Sequence, residues 1–388
     1  MLIRLVMSVI GAAALFLVLV PFMLWMYGFD VYGAPPPKNE SAMAQAMQRM
    51  MWRSYDGGVS WSGVRWNVPF SLDEVTAFAL HPRDASIMYA GTEARGIWKS
   101  VNQGTSWIRV GESGALHKET SVSRVIVAPS DPRVLYVIYA ENNRGHVGIS
   151  TDAGFSFVDR YAVGHDGQRI HDLWINPRDA SHVMIATSQG GVLASRDAGA
   201  SWQSMKWFDE PVIMVSADSH AANRVHVMTA GGTIYISSGG EEWTPIGQDA
   251  HGKDSGDAMP FDMTSMGQAL RRMWRDFIVP AQQSALIRDP AVPSRFYIVG
   301  SEGLFRSDDN AVSWTRVAVP VPPGFSSVDA MAINPFDVRH IYAASGDMVY
   351  VSGDSGLTWT VETLAMRYTR FMAVSSADPR FLVIISGK

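Results

Sequence analysis

The chain has no cysteine among its 388 residues. That excludes disulfide scaffolds, thiolate metal sites and cysteine nucleophiles together. It also has no surplus of positive charge: 32 Lys and Arg stand against 37 Asp and Glu, a formal net charge of −5. Nucleic-acid binding as the main activity therefore has no electrostatic basis. The 10 histidines show no H-x-x-x-H spacing, so neither a metal site nor any other cofactor is expected. Charged residues make up only 18% and hydrophobic ones 47%, too apolar for a disordered chain. Glycine (34), proline (20) and tryptophan (13) are abundant. Many turns and many large aromatic anchors point to an all-β protein.

Residues 5–27 run for 23 positions without a charge. As a helix this segment reaches roughly 34 Å, enough to cross a bilayer core. Trp25 and Tyr27 close it, where amphipathic rings suit the lipid–water boundary. Ser8, Gly11, Ala12 and the neighbouring alanines form a small-residue patch, and Pro21 lies within the span. Arg4 precedes the segment and Asp30 follows it, which predicts a cytoplasmic N-terminus and an extracytoplasmic remainder. The rival reading is a cleaved signal peptide, but the segment is long for one and no small-x-small site follows it. Residues 1–33 are thus expected to be a transmembrane anchor. Residues 34–49 then form a linker, stiffened by Pro35, Pro36 and Pro37, and a short helix from Glu40 toward Trp52 with Met43, Met47 and Met50 on one stripe.

A period appears after residue 50. The octet S-x-D-x-G-x-x-W occurs at Ser54, Asp56, Gly58 and Trp61, then at Ser100, Asn102, Gly104 and Trp107. It recurs with Asp152 and Phe157, Asp197 and Trp202, Asp309 and Trp314, and Asp354 and Trp359. A degraded copy keeps Gly240 and Trp243, with Ile236 and Ser238 in the first two defined positions. Physically the octet is a tight turn between strands. The carboxylate and hydroxyl accept turn N–H groups, glycine takes the positive φ, and the aromatic ring drops between neighbouring sheets. These aspartates are therefore structural. The octet resembles the Asp-box, or BNR, repeat, and the resemblance covers nearly all of the chain after residue 50.

Ahead of most octets stand two short apolar runs around a Pro/Asp turn, as in VTAFALHPRDASIMYAGT from residue 75. Each unit thus reads as strand A, turn, strand B, strand C, octet turn, strand D: one propeller blade. Successive octet aromatics are 46, 50, 45, 41, 71 and 45 residues apart, blade-sized apart from one insertion. The C-terminal end supplies an A–B pair without an octet, and the first octet a C–D pair without an A–B. This predicts a seven-bladed propeller over residues 50–388, closed by strands from both chain ends. The insertion, about 248–284, holds Met263, Met266, Leu270, Met273, Trp274 and Phe277 at helical spacing, with Arg271, Arg272 and Arg275 between them. That predicts an amphipathic helix for docking a partner or lipid, the alternative being a helix packed on the propeller rim. The D-to-A insertion and the chain entry at a B-to-C position belong to one face, which is expected to look toward the membrane.

BNR propellers include sialidases, xyloglucan-type glycosidases, sortilin-type receptors and photosystem II assembly and stability factors. The stretch HPRDASIMYAGT followed by KSVNQGTSW is most similar to the glycosidase and photosystem-factor branches. The sialidase Arg-Ile-Pro motif is absent. Glu93, Glu141, Glu302 and Asp347 lie in B–C turns, but no motif marks them as the acid and base that glycoside hydrolysis needs. With no catalytic site legible, the expectation is a non-catalytic, membrane-anchored accessory or assembly subunit of an integral membrane complex. The resemblance makes a photosynthetic reaction centre or photosystem the most specific partner. A BNR-type glycoside hydrolase and a sortilin-like receptor are the alternatives.

Overall fold

The computed structural model describes residues 50–218, 224–246, 286–300, 302–322, 327–366 and 368–387. They form seven antiparallel four-stranded blades in a ring, one of which gains a short fifth strand. Blade 1 comprises strands A to D at Val75–Leu80, Met88–Thr92, Ile97–Ser100 and Ile108–Val110. Blades 2 to 6 repeat this order, with A strands Ser121–Val127, Ile170–Asn176, Val212–Ala217, Leu286–Arg288 and Ala330–Ile333. Blade 7 is assembled from both ends of the sequence. Tyr368–Val374 and Leu382–Gly387 supply strands A and B, and Met50–Ser54 and Ser62–Arg65 supply C and D. Met51 pairs with Ile385 and Trp52 with Ile384. Closing the ring this way pairs the inner edge of Met50–Ser54 with Leu382–Gly387.

The expected anchor at 1–33, the 34–49 linker and the insertion helix lie outside the described residues. Among the described residues no helix is long and apolar enough to cross a membrane. The helix expected to run on toward Trp52 is corrected at its end, because Met50, Met51 and Trp52 belong to a strand. Their cross-strand partners Ile384, Ile385 and Val64 bury apolar surface that a lone helical stripe could not.

The core is divided into layers between blades. One cluster joins blades 7 and 1 through Met51, Phe78, Trp107 and Phe371. Others join blades 1 and 2 through Tyr89 and Phe157, blades 2 and 3 through Tyr136 and Ile185, and blades 4 and 5 through Met228 and Phe296. Alternating apolar residues on each strand therefore serve both faces of a blade, and each face is covered by a neighbour.

The octets build the expected turns. Ser54 Oγ accepts from Gly58 N at 2.8 Å, and Asp56 Oδ1 accepts from Ser60 N at 2.9 Å. The same pair of bonds recurs at Ser150 and Asp152, Ser195 and Asp197, and Ser352 and Asp354. Asn102 replaces the carboxylate with an amide oxygen at no loss, accepting from Ser106 N at 2.8 Å. Asp309 serves a turn in which Ala311 takes the glycine place at φ 70°. Hydroxyl and amide donors hold the carboxyls of Asp197 and Asp354 down at about 2, so they serve the turn as permanent anions. In the degraded copy the hydroxyl comes one residue later than the octet register: Ser237, not position 236, accepts from Gly240 N.

The aromatics dock on the preceding blade, but unequally. Trp107 and Phe157 are buried, and Trp202 is half-buried with its indole N–H donating to Arg160 O of blade 2 at 3.0 Å. Trp61 and Trp243 donate to the glycine carbonyl of their own turns. Trp314 and Trp359 pack against the clusters beside their blades.

Candidate functional site

All B–C turns and D-to-A connections open on one face, and the A–B turns and octets on the other. Residue 50, where the described chain begins, lies on the B–C face. Residues 246 and 286, which flank the insertion, lie there too. The B–C face carries one mouth of the central channel; a cavity of about 480 Å³ within the channel is lined by inner-strand residues such as Leu80, Val127, Arg288, Met331 and Ala373, toward the A–B ends of those strands.

Five A strands carry a β-bulge just inside this mouth, at Thr76, Ser123, His171, Ile213 and Arg370. Asp329 takes the corresponding place in blade 6, directly before Ala330. A bulge re-aims the side chain it carries, and here several turn toward the next blade. Thr76 Oγ1 donates to Val122 O at 2.5 Å, His171 Nδ1 to Val212 O at 3.0 Å, and Arg370 Nη1 to Asp73 O at 2.5 Å. Asp329 accepts from Gly346 N at 2.8 Å, and also from Thr369 N of blade 7 and the Ser327 side chain.

Asp329 differs from the octet aspartates in its electrostatics. Burial pushes its carboxyl above the usual range and outweighs the three donors that pull it down. Tyr368, the first residue of the blade 7 inner strand, is raised by burial; Arg370 opposes that shift, and Asp73 and Asp329 add to it. Its ring lies against Gly387, where a Cβ would fall within 2.7 Å of two ring carbons and the hydroxyl oxygen. Asp73, Asp329, Tyr368 and Arg370 thus share one electrostatic environment at the channel mouth. A buried carboxyl of raised pKa is the kind of group that donates a proton to a leaving oxygen.

The B–C carboxylates singled out from the sequence do not converge in this way. Glu93 and Glu302 are exposed, Glu141 lies 3.3 Å from His117, and Asp347 follows Gly346, whose N–H serves Asp329. Glu74, in the connection leading into blade 1, is held below its usual range: burial opposes this, while Arg95 at 2.8 Å and Ser71 N stabilise the anion. The partner-binding set Met263, Met266, Leu270, Arg271, Arg272, Met273, Trp274, Arg275 and Phe277 lies outside the described residues. So do Ser8, Gly11, Ala12, Pro21, Trp25 and Tyr27. Asp329 was missed because it follows no motif. Its signal was positional: a charge immediately before an apolar inner strand, where other blades have Thr76, Ser123, His171 and Arg370.

No family model matches the chain. Among curated proteins it is 22% identical, over 328 residues, to an oligoxyloglucan-reducing end-specific xyloglucanase of Emericella nidulans. The match covers 74% of this chain and 40% of that protein. A probable enzyme of the same name from Neosartorya fischeri is 23% identical over 195 residues, 44% of this chain and 23% of that one. The chain therefore spans well under half the length of the curated relatives it matches. Among solved structures, the GH74 xyloglucanase of Xanthomonas campestris matches with a TM-score of 0.60 at 17% identity, over 87% of this chain and 52% of that one. YCF48 of Cyanidioschyzon merolae matches with a TM-score of 0.55 at 14% identity, over 82% of this chain and 98% of that one. A structure of YCF48 bound to D1 peptide matches with a TM-score of 0.52 at 12% identity, over 82% of this chain and 94% of that one. These likenesses support the propeller fold. The expectation of a non-catalytic protein is corrected: both curated relatives are named as xyloglucanases, and they point to glycoside hydrolysis.

Proposed function

We propose that the chain is a glycoside hydrolase of the xyloglucanase kind, acting on a β-linked glucan laid across the B–C face. The observation that carries this reading is Asp329, a half-buried carboxyl of raised pKa that accepts from Gly346 N and Thr369 N and, with Asp73 and Arg370, acts on Tyr368. In this assignment Asp329 protonates the departing glycosidic oxygen. Asp73 is assigned as the second carboxylate, taking a proton from the water that attacks the anomeric carbon as the bond to the departing oxygen breaks, and Arg370 holds the connection that carries it. The names of the curated relatives support the substrate class.

Asp329→Asn keeps the shape and removes the transferable proton. It is expected to lower kcat on xyloglucan oligosaccharides by about 10²–10⁴-fold, the usual worth of general-acid catalysis, with the melting temperature nearly unchanged. Full activity in the variant would remove Asp329 from the chemistry. A wild-type chain inert toward xyloglucan and other β-glucans would end the hydrolase reading.

One observation favours a second reading. The match to YCF48 takes in 98% of that protein, against about half of the GH74 enzyme. On this reading the B–C face docks onto a membrane complex such as a photosynthetic reaction centre. Residues 5–27 would anchor the extracytoplasmic propeller, and the 261–277 segment would make the contact. Mild-detergent extraction tests it: co-migration of the chain in fixed ratio with pigmented membrane subunits is expected, and migration alone counts against it.

A further inference from the structure

Strand D of blade 3, Gln203–Trp207, ends at the B–C face, and Trp207 keeps 53% of its surface exposed. Among the described residues, the other strongly exposed large apolar side chains lie elsewhere. Tyr55, Val59, Val101, Phe155, Val312 and Leu357 are in octet turns on the opposite face, Phe336 is in an A–B turn there, and Ile108, Val158 and Val361 lie on D strands of other blades. Trp207 thus stands by itself as an exposed indole on the face that bears the candidate site.

It is also held in place. Trp207 pairs across the sheet with Gly191, and its ring covers that glycine so closely that a Cβ would lie 2.7 and 2.9 Å from two ring carbons. The next residue, Phe208, is wedged between Tyr235 and Trp243, with ring centroids 4.7 and 5.6 Å away, and its N–H donates to Gly190 O at 2.9 Å. Two residues further on, Glu210 lies over Gly231 and accepts from Thr229 Oγ1 at 2.8 Å. Glycines on the two adjoining B–C turns let an indole and a carboxylate lie flat against the backbone. A pre-ordered, exposed indole, with the Glu210 carboxylate in the connection that follows it, suits the C–H face of a pyranose ring.

We infer that Trp207 is a stacking platform for a sugar unit of the glucan, remote from the point of cleavage. The inference rests on the hydrolase reading and extends it to a second contact. Trp207 lies on the outermost strand of blade 3, and Asp329 beside the innermost strand of blade 6. Four strands spaced about 4.8 Å apart put the platform some 14 Å outward of the channel wall. Only a substrate several sugar units long reaches both.

The test uses the full chain with short and long β-glucan oligosaccharides, measuring kcat, KM and direct binding by calorimetry. Trp207→Ala is expected to raise KM for the long substrate by about tenfold, leaving kcat and the short substrate unchanged. Trp207→Phe should recover part of the loss. Gly191→Ala, which displaces the ring without removing it, should reproduce part of the Ala effect. A wild type that binds and cleaves the long glucan, with Trp207→Ala equal to it, overturns the platform and leaves the hydrolase reading standing. A loss of kcat and KM alike on both substrates, with a lowered melting temperature, would show a packing residue and likewise overturn it. A wild type that binds no glucan overturns both.

Discussion

A chain ending at residue 367 is expected to lose its cooperative unfolding transition and to accumulate as aggregate. The truncation removes strands A and B of blade 7, and with them Phe371, Phe381, Leu382, Val383, Ile384 and Ile385, all buried. Each such side chain contributes about 1.5–3 kcal/mol on burial, so together they rival the whole stability of a typical domain, about 5–15 kcal/mol. The cut also bares the edge of Met50–Ser54 and uncovers the faces of blades 6 and 1. A point variant grades the same idea. Ile384→Ala, at a fully buried position paired with Trp52 and Met372, should cost about 2–5 kcal/mol. Leu357→Ala, 83% exposed in an octet turn, should stay within about 0.5 kcal/mol. Denaturant titration of the full chain separates them, and a truncated chain that still melted cooperatively would show that six blades hold the ring.

Replacing Asp172 by Ala is expected to destabilise the fold by about 3–5 kcal/mol, far more than the removal of one surface charge. Asp172 is buried on the inner strand of blade 3, and its Oδ1 lies 2.8 Å from Arg124 Nη2 of blade 2. Its Oδ2 accepts from Val215 N of blade 4 at 2.9 Å, and Oδ1 also accepts from its own neighbour Leu173 N at 2.8 Å. Burial raises its pKa, while Arg124 and the two N–H donors pull it down. One carboxylate therefore ties three inner strands together. Its loss leaves a largely buried guanidinium without this anion and an N–H without its acceptor. Removing both charges, in Arg124→Met with Asp172→Leu, should recover most of the loss, because an apolar pair of similar volume no longer carries the desolvation cost. Equal midpoints for wild type and Asp172→Ala in chemical denaturation would refute the tie.

Much of this architecture is legible in the residues because it repeats. The octet is a local device: Ser, Asp and Gly satisfy one another within five residues, so the turn is written wherever they stand, even with Asn102 in place of Asp or Ala311 in place of Gly. Blade closure was legible for a related reason, since an A–B pair lacking a C–D and a C–D pair lacking an A–B complete each other. Where the local signal faded, in the copy around Trp243, register went astray by one residue, because Ser237 supplies the hydroxyl from a position the pattern does not specify.

The candidate site was not legible, and the reason lies in geometry. Asp329, Asp73, Tyr368 and Arg370 come from different blades and from opposite ends of the chain. No spacing along the sequence records that the ring brings residue 73 beside residue 370. Nor can composition distinguish Asp329 from an octet aspartate, since both are carboxylates near strand ends. One sits among turn donors that favour its anion, whereas burial at the channel mouth favours the neutral form of the other. Trp207 looks like any other tryptophan of a strand until Gly191 is seen beneath it. The sequence by itself determined the period, the turn chemistry, the number of blades and the way the ring is fastened, because hydrogen bonds within a few residues and alternation along a strand encode all of them. Only the tertiary structure decided which carboxyl burial shifts toward its neutral form and which indole faces outward, because burial and the field of distant charges exist only after seven blades have packed around one axis.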